Sequence, residues 1–455
     1  MGAATTIRRT FGEVAAIAQV LLCASVAVAA ADRRSVLSSP NHGAFTGWFA
    51  GPLRGLVPRL TRDPHVLERN LHHALLAMFV AWLVLVFAGG TVRPSVIVGA
   101  VVAANAVFLL CPPTALTDLF NYLGYARLDA VHHLDPYVQL PLAQRGDPVY
   151  AYSNWHHLRS PYGPLFTVLL LPPARLSLPA AYWTYKAIVT VASLGLLAAV
   201  WGCARRLGRS PTAAVAFVGL NPLVLVYALG GKHNDALMMA ILMAGCLLVA
   251  GRREPSGGAL LAAAVAIKAS AGLLAPVVAA GAPRRWRAIA GALAGAVVLV
   301  TVTVGAFGPH APDVADQARL VNPYSVPNVL GYALGHGGAD ASVRRGATIA
   351  AALALGVCAA VAWRTRRWVT AGGVAGLVAL ASVSWLMPWY VLWPLPFAAL
   401  SRSRALRAAT IAATAWLLLV RVGTTAAVAH HFGIDVRATA VARANARFAY
   451  GLLRN

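Results

Sequence analysis

The sequence predicts an all-α protein that crosses the membrane many times, on three observations. Hydrophobic residues make up 59% of the 455 residues and charged residues only 11%, against about a quarter charged in soluble domains; a soluble chain this apolar would expose more apolar surface than water tolerates. Apolar runs of roughly 20 residues, the length that crosses about 30 Å of hydrocarbon, recur along the whole chain. Positive charge lies in short clusters between those runs, while acids gather in two long polar segments. Helices are expected because they satisfy their own backbone groups in lipid.

The apolar segments fall at 14–31, 71–89, 95–111, 165–172, 180–203, 213–228, 236–250, 260–278, 288–307, 347–363, 369–384, 389–400 and 406–429. They imply about 11 to 13 membrane helices, some short or broken. A single membrane domain over 1–455 is expected: an N-terminal span plus outer loop (1–70), polar segments at 112–161 and 308–345, and a basic C-terminal tail (430–455). Arg8 and Arg9 precede an apolar run ending at Ala27-Val28-Ala29, the pattern of a signal peptide or an uncleaved signal anchor. Many later spans favour the anchor, and either places the next loop outside.

The net charge of +24, from 38 Lys plus Arg against 14 Asp plus Glu, would suit a nucleic-acid binder. Here the arginines sit as cytoplasmic loops do under the positive-inside rule, and no nucleic-acid-binding module is visible, so that class is set aside. The clusters are Arg205-Arg206-Arg209, Arg252-Arg253, Arg284-Arg285-Arg287, Arg364-Arg366-Arg367 and Arg402-Arg404-Arg407. The polar segments carry Asp118, Asp129, Asp135 and Asp147, then Asp313, Asp316 and Asp340, and should face outward. Counting crossings exposes two irregularities. Arg252-Arg253 and Arg284-Arg285 are both expected inside, yet one apolar stretch, interrupted by Lys268, separates them. A hairpin of two short helices with Lys268 near its tip resolves this. The stretch at 165–172, closed by Pro172-Pro173, likewise reads as a short hairpin. Broken segments are tolerated in membranes where they line a cavity.

Four groups of residues could carry chemistry. Asp118 follows directly on an apolar span, where a carboxylate is costly unless hydrated, paired or used; it reads as a general base or as the cap of a following helix. Asp135-Pro136 reads first as a turn opener. Tyr122, Tyr125, Tyr137, Tyr150, Tyr152, Trp155 and Tyr162 form either an interfacial aromatic belt or a platform for sugar rings. The tip Gly230-Gly231-Lys232-His233-Asn234-Asp235 packs cation, imidazole, amide and carboxylate between two apolar helices, and Asn221-Pro222 upstream favours a shaped, functional turn over a simple helix cap. Lys268 is an ammonium inside an apolar stretch, a functional candidate or a snorkelling side chain. Trp385, Pro388, Trp389, Tyr390, Trp393 and Pro394 suggest an irregular outer corner. The adjacent histidine pairs His72-His73, His132-His133, His156-His157 and His430-His431 lack the i, i+4 spacing of metal ligands, so no metal site is expected. The five cysteines form no Cys-x-x-Cys pair and read as small core residues.

Taken together, Asp118, Tyr122, Tyr125-Ala126, Asp135-Pro136-Tyr137 and Tyr162-Gly163-Pro164-Leu165 resemble the first outer loop of GT-C glycosyltransferases, and more narrowly the actinobacterial polyprenol-phosphate-mannose-dependent α-1,6-mannosyltransferases. Asn221-Pro222-Leu223, His233-Asn234-Asp235, Ile267-Lys268, Asn322-Pro323-Tyr324-Ser325-Val326-Pro327-Asn328 and Pro388-Trp389-Tyr390 follow in that family's order. The first loop departs from the pattern in its histidines and spacing. The resemblance implies a GT-C fold with a helical first outer loop in the plasma membrane and an active site facing outside. It implies a lipid-linked sugar phosphate as co-substrate, with no other cofactor, and a cell-envelope glycan or glycolipid as acceptor. Asp118 would be the base of one inverting displacement. Lys268, His233, Asn234, Asp235, Tyr122 and Tyr162 would bind donor phosphate and sugar, and Asp135, Tyr137, Trp155, Trp389 and Tyr390 would hold acceptor or sugar. Rival readings are an arabinofuranosyl- or other glycosyltransferase of the same fold, a non-catalytic assembly subunit, and a transporter or flippase for a lipid-linked solute. Against the transporter stand the absence of a clear internal repeat and the placing of the acids in outer loops.

Overall fold

Helices are the only regular structure among the described residues, which are 2–38, 43–57, 63–114, 118–421 and 423–453 of a computed structural model. In chain order they are α1 (Ala3–Asp32), α2 (Gly47–Ala50), α3 (Pro64–Ala88), α4 (Pro94–Leu110), α5 (Asp118–Ala130), α6 (Pro164–Ala174), α7 (Leu178–Arg206), α8 (Pro211–Gly219), α9 (Asp235–Ala250) and α10 (Glu254–Ile267). The second half has α11 (Ala275–Gly281), α12 (Arg285–Phe307), α13 (Ala315–Arg319), α14 (Val326–Ala333), α15 (Ala341–Thr365), α16 (Trp368–Ser382), α17 (Leu395–Leu400), α18 (Arg404–Leu419), α19 (Gly423–His431) and α20 (Ala440–Leu453). Among the described residues five segments are long and apolar enough to cross a bilayer: Ala4–Asp32, Pro64–Thr91, Leu178–Arg206, Arg285–Phe307 and Ala341–Thr365. Shorter apolar helices accompany them. The chain is therefore an all-α, polytopic membrane protein in which several apolar runs are divided rather than continuous. α12 and α15 turn Leu293, Val297, Val300, Leu353 and Val357 outward, as helices bathed in lipid do.

Small residues let the helices approach closely, the usual basis of packing in lipid. A Cβ on Gly258 of α10 would collide with the carbonyl of Ala288, and one on Gly291 of α12 with that of Pro255. Gly291 and Gly295, four apart, form the face of α12 that lies on α10. In α16, Gly372 and Gly376 leave room for Phe397 and Pro394. The five cysteines are buried and unpaired.

The run at 213–228, read as one span, is divided. α8 stops at Gly219, and Asn221-Pro222 separates it from a π-helical turn at Val224–Leu229. Freed carbonyls in hydrocarbon cost several kcal/mol unless repaired, and side chains from α1 and α3 repair them. Gln19 Nε2 donates to the Leu220 carbonyl at 2.6 Å and Trp82 Nε1 to that of Phe217 at 3.0 Å. Asn221 Oδ1 restarts the helix by accepting from the amides of Leu223 and Val224. Beyond the π-turn, Thr114 donates its hydroxyl to the Val226 carbonyl and its amide to that of Gly230, the latter at 3.1 Å. The end of the α4 segment is thus tied to the tip before Asp235.

The hairpin at Lys268 is present. α10 ends at Ile267, Lys268 is extended (φ −154°, ψ 126°), and a short 3₁₀ turn leads into α11. Gly163 fixes its position: its amide donates to the Ile267 carbonyl at 3.1 Å, and a Cβ there would collide with the Ala266 carbonyl. The stretch at 165–172 is a single short helix, α6, with Pro172 and Pro173 in its last turn, and it turns directly into α7. Arg127 caps that turn, donating to the carbonyls of Ala174 and Leu176.

The helices sort the charges onto two faces. Asp118, the 233–235 tip and Lys268 lie together at one. At the other, the Arg206 guanidinium rests on Gly251, Arg366 donates to the Ala282 carbonyl, and Arg209, Arg366, Arg367 and Arg402 share one cavity.

Gly163→Val should lower the detergent melting midpoint by the equivalent of roughly 1–3 kcal/mol, the usual cost of overpacking, because the Lys268 hairpin must move. Gly99→Ala, with nothing within 4 Å of its added Cβ, should not lower it. Differential scanning fluorimetry on both variants checks this.

Candidate active site

α5 begins at Asp118, just beyond residues 115–117, which lie outside the described residues. The Asp118 carboxylate meets side chains rather than first-turn amides. Its Oδ2 lies 3.1 Å from Nδ1 of His233, and its Oδ1 accepts from Asn121 Nδ2 at 3.3 Å and Trp155 Nε1 at 3.4 Å. Asn121, one turn along α5, also bonds Asn154 and the amides of Asn154 and Trp155. It thereby folds the far end of the first polar segment over the carboxylate.

Burial pushes the Asp118 carboxyl upward. The hydrogen bond and charge of His233, the Lys268 ammonium and the Trp155 indole together outweigh it and hold the group below the usual carboxylate range. Asp118 is therefore ionised at neutral pH. Its side chain keeps 16% exposure, whereas that of His233 keeps 1%, so the carboxylate is the member of the pair that a ligand can reach. His233 lies stacked on Trp389 (3.5 Å between centroids, 11° apart). Its Nε2 makes no hydrogen bond and faces Gly231, where a side chain would press on it.

The turn that delivers His233 is strained. Lys232 has φ +58°, a conformation costly for a residue with a Cβ. It is held from outside: Tyr185 Oη donates to the Lys232 carbonyl at 3.1 Å, and the Asn234 amide approaches Tyr122 Oη at 3.5 Å. Asp235 opens α9 and is completely buried. Its oxygens accept from Lys268 Nζ at 2.6 Å and Trp393 Nε1 at 2.9 Å. Lys268 also donates to Asn234 Oδ1 at 3.3 Å and lies over the Tyr390 ring, which stacks on Trp393. Lys268 is thus drawn inward by Asp235 rather than snorkelling outward. Asn234 Nδ2 and Trp389 Nε1 are buried donors without a partner among the described residues.

A cavity of about 390 Å³ adjoins this cluster. Tyr390, Trp393 and Trp385 line it on the cluster's side, and Trp385 meets Trp155 edge-on at 6.4 Å. Thr348, Ala351, Ala352 and Leu355 of α15 form one wall, and Arg344 and Gln317 also line it.

Not every expected residue joins the cluster. Asp135 bonds the Tyr137 amide and pairs with His310 of the second polar segment at 2.6 Å. Tyr137 is buried, bonded to Thr167 and edge-on to Phe307. Tyr122 joins only through its hydroxyl, 3.5 Å from Nδ1 of His233, while its ring and that of Tyr162 are buried edge-to-face at 4.7 Å. These three rings offer no open face, so neither a belt nor a sugar platform describes them; they pack the floor. Trp155, half-buried, remains beside the carboxylate. Asn121, legible in the sequence only as the i+3 neighbour of Asp118, holds the carboxylate, and Trp393, expected only as part of an irregular corner, bonds Asp235. Lys186 lies inside the span expected at 180–203, so the argument that singled out Lys268 applies to it too. It donates to the Cys111 carbonyl at 2.8 Å and lies 3.7 Å over Trp183, anchoring the chain just before the Asp118 segment. Among the described residues no group of three or more His, Cys, Asp or Glu converges as metal ligands would.

Residues 13–284 match the family described as alpha-(1->6)-mannopyranosyltransferase, N-terminal domain. The alpha-(1->6)-mannopyranosyltransferase A of Mycobacterium tuberculosis is 28% identical over 352 residues, covering 69% of this chain and 67% of its own length. The protein of the same name from Corynebacterium glutamicum is 27% identical over 178 residues, 37% of this chain and 35% of its own. A probable alpha-(1->6)-mannopyranosyltransferase of Mycolicibacterium smegmatis is 32% identical over 147 residues, 30% of this chain and 26% of its own. The matches thus span from about a quarter to two thirds of these relatives. Asp118, His233, Asp235 and Lys268 all fall inside the family match; Trp389, Tyr390 and Trp393 lie beyond it.

Lys268→Met should destabilise the protein by roughly 3 kcal/mol, because it leaves the buried Asp235 charge without its cation. Asp235→Asn together with Lys268→Met should recover most of that loss. A double-mutant cycle on melting midpoints measures it; strict additivity would mean that the two groups do not act as a pair.

Proposed function

The chain belongs to the alpha-(1->6)-mannopyranosyltransferase family, and from that premise we propose that it moves mannose from a polyprenyl-phosphate donor to a glycan or glycolipid of the cell envelope. The observation that carries this reading is an ionised, reachable carboxylate, Asp118, held by His233 in the same cluster as a hairpin cation, Lys268, beside a cavity walled by a lipid-facing helix. The arginine clusters would lie on the cytoplasmic side by the positive-inside rule, which supports a site at the outer face of the plasma membrane.

In the proposed reaction the acceptor hydroxyl attacks the anomeric carbon from the face opposite the phosphate. The bond from that carbon to the phosphate oxygen breaks, polyprenyl phosphate departs, and the hydroxyl proton passes to Asp118. One displacement with one base inverts the anomeric centre. A carboxylate held this low is a weak base, so it takes the proton late, once the new bond has made the hydroxyl acidic. His233 stays behind it as a positioning residue that keeps it ionised. Lys268, with the free donors Asn234 Nδ2 and Trp389 Nε1, would meet the charge gathering on the departing phosphate. The polyprenyl chain would lie along the α15 wall of the cavity. Beyond donor and acceptor the displacement asks for no cofactor, because the leaving group is already a stable anion.

Asp118→Asn should lower kcat by roughly a hundredfold or more with expression preserved; a variant with full turnover would remove the base assignment. The base works only when unprotonated, so activity is lost as pH falls through its pKa. With that pKa below the usual range, wild-type kcat should hold down to about pH 4. In His233→Gln burial acts with less opposition, and the acid limb should move upward. Steady-state rates across pH check both statements.

A further inference from the structure

At the face opposite Asp118, three loops enclose a cavity of about 640 Å³. Four guanidinium groups stand around it: Arg209 from the α7–α8 connection, Arg366 and Arg367 from the α15–α16 connection, and Arg402 from the α17–α18 connection. Among the described residues no acidic side chain lines it. The positive-inside rule explains arginines on this face, but it requires only their presence, spread over loops, and not their convergence on one concavity.

The backbone adds to the same field. Helices α8, α16 and α18 all begin at this cavity, so three positive helix ends gather there. Ser210 and Ser403 cap α8 and α18 with their own hydroxyls. α16 has no side-chain cap, and its first residues, Trp368, Val369 and Thr370, line the cavity. Their amides are the orphan donors of a helix N-terminus. Arg209 itself is part-exposed where it lines the cavity. Thr370 and Ser401, bonded to each other at 2.8 Å, bring two hydroxyls to the same wall.

We propose that this cavity binds a phosphate group, carried by an anionic phospholipid headgroup of the cytoplasmic leaflet or present as free phosphate. Guanidinium forks, uncapped helix amides and hydroxyls are the donor set that phosphate oxygens match. α16 runs from this cavity to Ser382 at the edge of the cavity beside Asp118, roughly 20 Å away at 1.5 Å per residue. The two sites are therefore separate, and the inference stands whether or not the proposed transfer reaction is correct.

The test uses the purified full chain in neutral detergent, titrated with phosphatidylglycerol, phosphatidylcholine or inorganic phosphate. Binding is read by native mass spectrometry and by the shift in melting midpoint. Saturable binding of phosphatidylglycerol but not phosphatidylcholine supports the site and assigns a lipid source; saturation by inorganic phosphate supports it and assigns a free one. The triple change Arg366→Gln, Arg367→Gln, Arg402→Gln should weaken binding by roughly tenfold or more. The control Arg205→Gln, Arg252→Gln, Arg253→Gln removes equal charge outside the cavity and should leave binding unchanged. Arg402 is exposed, so Arg402→Gln alone retains the fold and should still weaken binding if the triple variant is unstable. Equal weakening in both triple variants, or no saturable binding of either anion, would overturn the proposal.

Discussion

The contact between the Asp118 carboxylate and Nδ1 of His233, 3.1 Å across, joins two segments that are far apart in the chain. Much of the face around it is arranged to make that contact possible. Either group buried alone would cost several kcal/mol, and an isolated buried carboxyl would take up a proton instead. His233 in turn is fixed by the Trp389 ring and by the turn that Tyr122 and Tyr185 hold. Asn121 and Trp155 fix the other side of the carboxylate. What results is an ionised group that stays reachable while its partner is shielded.

Bringing such groups into a membrane domain requires the helices to be interrupted, and each interruption frees backbone groups that lipid cannot satisfy. The repairs come from polar side chains inside apolar helices. Gln19 and Trp82 serve the end of α8, Thr114 the π-turn, Lys186 the chain before Asp118, and Arg127 the turn after α6. Buried polar residues in α1, α3 and α7 thus support the site without touching it. Glycine does the same by absence: Gly163 lets the segment before α6 rest directly on the Lys268 hairpin.

The parts legible in the sequence were those with a strong physical signature. Apolar runs and clustered arginines marked spans and faces, and mismatched crossings marked Lys268 as the tip of a hairpin. Asp118 and the His233-Asn234-Asp235 tip stood out because charge beside an apolar run demands a reason. Partnerships were less legible. Nothing in the order of residues states that His233 meets Asp118, that Lys268 turns to Asp235, or that Asp135 turns to His310, since each pairing depends on how non-adjacent helices pack. The tyrosines illustrate the limit. Their density was plain, but burial of Tyr122, Tyr137 and Tyr162 as packed rings follows from tertiary contacts alone. The break at Asn221-Pro222 was visible as a turn signal, yet its division of a span rests on side chains contributed by α1 and α3.

The central claim is that the carboxylate and the hairpin cation serve transfer from a lipid-linked donor. It is tested most directly by incubating the purified chain with polyprenyl-phosphate-mannose and a mannan acceptor, with products analysed by mass and by anomeric NMR. The account predicts an acceptor extended by one α-linked mannose for each polyprenyl phosphate released from a β-linked donor. Mannose transfer from a nucleotide-activated sugar alone, with the lipid-linked donor left intact, would contradict it.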